Sequence, residues 1–172
     1  MRSLKRWILS LAAFSLLTFA AFPSYAHGQG RGETKAKIGA ANVSIEYGRP
    51  SLKGRDMLKM MPVGSVWRIG SDASTTLTTD ADLDFGGTRV PKGSHILLTR
   101  LAEPGKWSLI VSSKAAFQYE PSAKLAEVPL DLAEGQEALE QLTLTLSSQG
   151  GRGVIEIAWG KARLTGTFTP AK

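Results

Sequence analysis

The sequence predicts an all-β fold, a single antiparallel β-sandwich of jelly-roll type with very little helix. Three observations predict it. Apolar residues recur at every second position along most of the chain, the period of a strand and not of a helix. Turn signals separate these runs: Gly86-Gly87, Pro91-Lys92-Gly93, Pro104-Gly105 and Gly150-Gly151. Helical periodicity is scarce. Strict alternation favours antiparallel sheets with one wet face, and many short strands between turns favour a sandwich or barrel.

Residues 1–26 read as a secretory signal peptide. Arg2, Lys5 and Arg6 precede an apolar run from Trp7 to Phe22, Pro23 ends it, and Ser24-Tyr25-Ala26 is a small-x-small cleavage pattern. The run of about 16 residues is short for a bilayer span of about 20. Cleavage is expected after Ala26, with the product periplasmic or extracellular, and no later stretch is long enough to cross a membrane as a helix. Removing the three leader cations from 21 basic residues leaves 18 against 15 acidic, a net +3 in place of +6. That charge, with no recognisable motif, gives no reason to expect a nucleic-acid partner.

The sequence lacks cysteine, which excludes disulfides, thiolate nucleophiles and cysteine-ligated metals. The 146 residues after the leader suit one domain. His27 to Lys35 is polar and glycine-rich, so residues 27–36 are expected to form a flexible tail, with the domain spanning 37–172. Strands are expected from the alternation of Val43, Ile45 and Tyr47, then from Thr75–Thr79, Ile96–Leu101 and Trp107–Val111. Leu142, Leu144 and Leu146 alternate strictly, and Ile155, Ile157 and Trp159 share one face. Leu164–Phe168 closes the pattern. Short helical turns are expected over Asp56–Met61 and Glu134–Glu140.

The densest polar region runs from Tyr47 to Thr76. Arg49, Lys53, Arg55 and Arg68 are close in sequence, with Tyr47 and Trp67 among them. Guanidinium and ammonium groups suit a carboxylate, sulfate or phosphate, and the aromatics offer a flat surface to a sugar or ring. These six residues form the candidate site for an anionic or carbohydrate ligand. The competing reading makes them scaffold, with Arg49 and Arg68 paired to Asp56 or Asp72 and Trp67 in the core.

Tyr47-Gly48-Arg49-Pro50, Lys53-Gly54-Arg55, Pro62 with Gly64, Trp67-Arg68, Gly70 and Thr75-Thr76 resemble the bacterial secreted family called domain of unknown function 2911. The Pro91-Lys92-Gly93 turn and Trp107 fit the same pattern, so the resemblance covers roughly residues 38–169. It implies a β fold and export, and no established activity. The chain departs from the family pattern at Ala73, where an acidic residue is usual, and at His95, where tyrosine is common. It also lacks a Trp-Gly pair ahead of Ala116-Phe117-Gln118-Tyr119. A catalytic carboxylate in the loop after Trp67-Arg68 would therefore be missing here.

Other chemistries find less support. Asp80, Asp82 and Asp84 read as a solvated acidic edge, with a weak calcium site as the lesser reading. Ser94-His95 lacks a nucleophile elbow. Cleavage after Ala26 would leave His27 at the N-terminus, and His27 with His95 would make a copper site only if that terminus were pinned against the domain. No catalytic residue and no cofactor are expected. The functional expectation is a non-catalytic binding or envelope-associated module; the alternative is an enzyme acting on a polysaccharide or envelope polymer.

Overall fold

The computed structural model describes residues 30–172. The expected leader, its expected cleavage site and His27 lie outside the described residues. The fold is all-β, as expected, with ten strands: β1 Arg31–Ile38, β2 Ala41–Gly48, β3 Val66–Arg68, β4 Thr76–Thr79, β5 Leu83–Phe85, β6 Thr88–Val90, β7 Gly93–Glu103, β8 Lys106–Ser112, β9 Lys124–Gln149 and β10 Arg152–Pro170. They form one antiparallel sheet in the order β1-β2-β4-β7-β8-β9-β10-β5-β6, with β3 paired to β7.

The sheet curls so that its first strands return against β9. The first half of β9 pairs with β8, Leu109 opposite Val128. Its second half pairs with β10, Leu144 opposite Ile157. Alternation then points Val43, Ile45, Leu77, Leu97, Leu109, Val128, Leu144, Ile155 and Phe168 into one shared core. Phe85 and Phe168 stack there with ring centroids 5.0 Å apart. Leu98 and Ile110 are also fully buried, on the opposite face of β7 and β8.

Two expectations about local structure are corrected. Residues 31–36, expected to belong to a flexible tail, form most of β1 and pair with β2 from Arg31 to Ile38. The glycine at 32 is a packing device: it lies opposite Tyr47, and a Cβ there would come within 2.6 Å of the tyrosine ring. The segment Glu134–Glu140 is not a helical turn but an irregular part of β9. Between Ala158 and Ala162 of β10 the register slips twice, so Thr143, Leu139 and Glu134 face Ala158, Gly160 and Ala162. The surplus residues of β9 bulge outward. Arg163 fills the bulge, its Nη1 donating to the carbonyls of Gly160 and Ala162 and its Nη2 to that of Glu137.

The other expected turn forms. Helix α1 spans Met57–Met60, and Asp56 caps it by accepting from the Leu58 amide at 3.1 Å.

Candidate functional site

Tyr47 to Arg55 leaves the end of β2 and crosses onto β9. The exposed backbone edge of β9 is satisfied by this segment rather than by another strand. The Tyr47 hydroxyl donates to the Leu144 carbonyl at 3.3 Å, and Arg49 Nε donates to the Leu142 carbonyl at 3.4 Å. The Leu142 amide donates to the Pro50 carbonyl and the Leu52 amide to the Glu140 carbonyl. Further along, the Leu146 amide donates to Thr34 Oγ1 of β1 at 3.0 Å. Side chains and loop backbone thus do what a ladder would do, and buried polar groups of β9 keep partners. The crossing is close: a Cβ on Gly48 would lie 2.1 Å from the Ser71 carbonyl oxygen.

The six sequence-predicted site residues do not converge. Tyr47 is in the core. Arg49 is half-buried and spans to β9. Lys53 is exposed at a tight turn; Lys53 and Gly54 both have positive φ, and the Arg55 amide returns to the Leu52 carbonyl. Trp67 is half-buried and stacks on Trp159, centroids 5.8 Å apart and planes 7° from parallel. Arg68 is exposed and, one residue along β3, points to the face opposite Trp67. Neither Arg49 nor Arg68 forms the expected ion pair with Asp56 or Asp72 among the described residues.

Arg55 is the member that borders a cavity. A groove of about 630 Å³ lies between the Leu52–Leu58 loop and the β9 bulge, lined by Leu52, Arg55, Leu58, Ala138, Trp159 and Lys161 with their neighbours. That volume falls within the roughly 300–1,000 Å³ of small-molecule sites. Trp159 forms the floor, held by its Nε1–H donating to the Glu140 carbonyl at 3.2 Å and backed by Trp67. Gly160 keeps a positive φ in the bulge and packs close to Leu52. On the rim, Lys161 pairs with Glu134 at 3.3 Å and Asp56 with Lys59 at 3.4 Å. Arg55 donates through Nε and Nη2 to the Leu52 and Ser51 carbonyls, and no carboxylate pairs with it among the described residues.

Trp159, Lys161 and Ala138 lie outside the six residues the sequence nominates for the site. The alternation puts Trp159 on a strand face with Ile155 and Ile157; the positive φ of Gly160 beside it is what kinks the strand.

The remaining candidates have other engagements. Asp80 accepts from the backbone and side-chain nitrogens of Asn42, Asp82 from Arg89 and the Lys92 amide, and Asp84 from the Gly87 amide. Each carboxylate serves a different turn, and those contacts hold Asp80 and Asp82 below the ordinary carboxylate range. His95 is buried on β7, with Nε2 2.6 Å from the Pro91 carbonyl. Burial pulls the Glu127 carboxyl upward, but Lys124, Ser108 and Arg100 outweigh it and hold it low. No group of three or more metal-ligating side chains gathers among the described residues. No helix among them is long and apolar enough to cross a membrane.

Comparison with curated proteins and with solved structures finds no match. The family described as "Protein of unknown function (DUF2911)" matches residues 30–168, from just before β1 to near the end of β10. That span takes in nearly all of the described chain, and the protein belongs to this family.

Proposed function

We propose that this protein is an exported, non-catalytic binding module of the cell envelope, and that its ligand carries an acidic group. The observation that carries the reading is the groove: an aromatic floor beneath an arginine that has no carboxylate partner. A guanidinium held by two carbonyls is pre-oriented for an anion, because its position is fixed while its charge is not neutralised. Export rests on the leader pattern in residues 1–26. N-terminal sequencing of protein recovered from the expressing cell should begin at His27.

The binding reading is tested by thermal shift of residues 27–172 with sulfate, phosphate, simple carboxylates and acidic glycans. A ligand at about 100 times its Kd adds roughly 2.7 kcal/mol, a shift of several degrees. The expected result is an anion-dependent shift that Arg55→Ala and Lys161→Ala reduce and Arg68→Ala leaves intact. A shift abolished by Arg68→Ala alone would move the site to the opposite face of the sheet.

A further inference from the structure

We infer that the body of the ligand is hydrocarbon, so that the groove takes a single-chain anionic amphiphile: an acyl chain with a carboxylate or phosphate head beside Arg55. This rests on the binding reading above and narrows it. Leu52, Leu58, Leu132, Ala138, Trp159 and Ala162 give the groove its walls. The lining contains no serine, threonine, asparagine, glutamine or tyrosine. A sugar needs many donors and acceptors for its hydroxyls, and here they are few: Arg55, Asp56, Glu134 and Lys161 in an otherwise apolar lining, where hydroxyls left unpaired would be costly. The polar atoms that are present are largely occupied. Trp159 Nε1 serves Glu140, Asp56 caps α1, and Glu134 pairs with Lys161. Of the two lining cations, Lys161 is paired and Arg55 has no carboxylate partner among the described residues.

The surroundings fit the same chemistry. The loop that forms one wall and the segment after it leave Leu58, Met60 and Val63 exposed, Val63 by 56%, and Leu132 is exposed on β9 just before the bulge. Lys53 of the same loop is exposed and without an ion pair among the described residues, so apolar surface and positive charge share this loop, while Lys59 is paired to Asp56. A hydrocarbon chain gains from the first, and an anionic head from the second.

The test is isothermal titration of residues 27–172 with octanoate, decanoate and dodecanoate below their micelle concentrations. Dodecyl phosphate, the neutral dodecyl maltoside and galacturonate oligomers complete the set. One-to-one binding should tighten with chain length, by up to roughly fourfold per methylene for full transfer from water. Arg55→Ala should weaken dodecanoate about tenfold and leave the maltoside unchanged. Ala138→Trp, an exposed position whose new side chain would fill the groove, should abolish binding without lowering the unfolding temperature. Co-sedimentation with phosphatidylglycerol vesicles, lost in Ala138→Trp, would identify a bilayer as the source of the chain; binding of free dodecanoate alone would identify a released fatty acid. Galacturonate binding that Arg55→Ala removes, with no dependence on alkyl length, would overturn the hydrocarbon assignment and leave the binding reading standing. Failure of every probe would overturn both.

Discussion

Arg163 shows how a single side chain can hold an irregular strand. Its guanidinium donates to three carbonyls around the slipped register. Arg163→Ala should cost about 2 kcal/mol in chemical denaturation, the scale of hydrogen bonds from a charged donor. Gly48→Ala should cost more, about 3 kcal/mol or above, because its Cβ would strike backbone that cannot swing aside. Glu127 gives a pH signature. Its folded-state pKa is depressed, so its contribution is present above the unfolded-state value and is lost as pH falls through the folded one. The wild type should therefore lose stability as pH falls below the ordinary glutamate range, and Glu127→Gln should lose less there while starting lower at pH 7. Equal slopes for the two proteins would rule out Glu127 as a source of the acid sensitivity.

At the scale of elements, β1 and the β9 bulge carry the argument. β1 covers the edge of β2 and supplies Thr34 to β9. A chain beginning at residue 37 should melt at least several degrees below one beginning at residue 27; equal melting temperatures would mean that β1 contributes nothing. The alternating strands were legible because their inward residues are large and apolar: Leu142, Leu144 and Leu146 name both strand and face. β1 was not legible, because Gly32, Thr34 and Ala36 are small or polar and their fit depends on Tyr47 and Leu146, far away in sequence. Glu134–Glu140 misled for a related reason. Most of its side chains face solvent on a bulge, so neither period applies, and its path is fixed by Arg163, Trp159 and Leu52, all distant in sequence.

At the scale of the molecule, the segment from Tyr47 to Arg55 has two parts with different duties. Tyr47, Gly48, Arg49 and Pro50 close the curled sheet onto β9, which is why these residues read as a motif. Leu52 and Arg55 form a wall of the groove that this closure creates. The sequence brought these cations and aromatics together on the page, and folding separates them: Tyr47 goes inward, Arg68 to the far face, and Arg55 to the rim above a tryptophan more than a hundred residues later. Closure residues should therefore lose stability when changed. Tyr47→Phe, which leaves the Leu144 carbonyl without its donor, should cost about 1 kcal/mol. Groove residues should lose binding. The most direct measurement is Arg55→Ala examined twice, by denaturation and by titration with dodecanoate. The account predicts unfolding free energy within about 0.5 kcal/mol of wild type and affinity reduced about tenfold. A large loss of stability with affinity unchanged would contradict it, because Arg55 would then belong to the closure and not to the site.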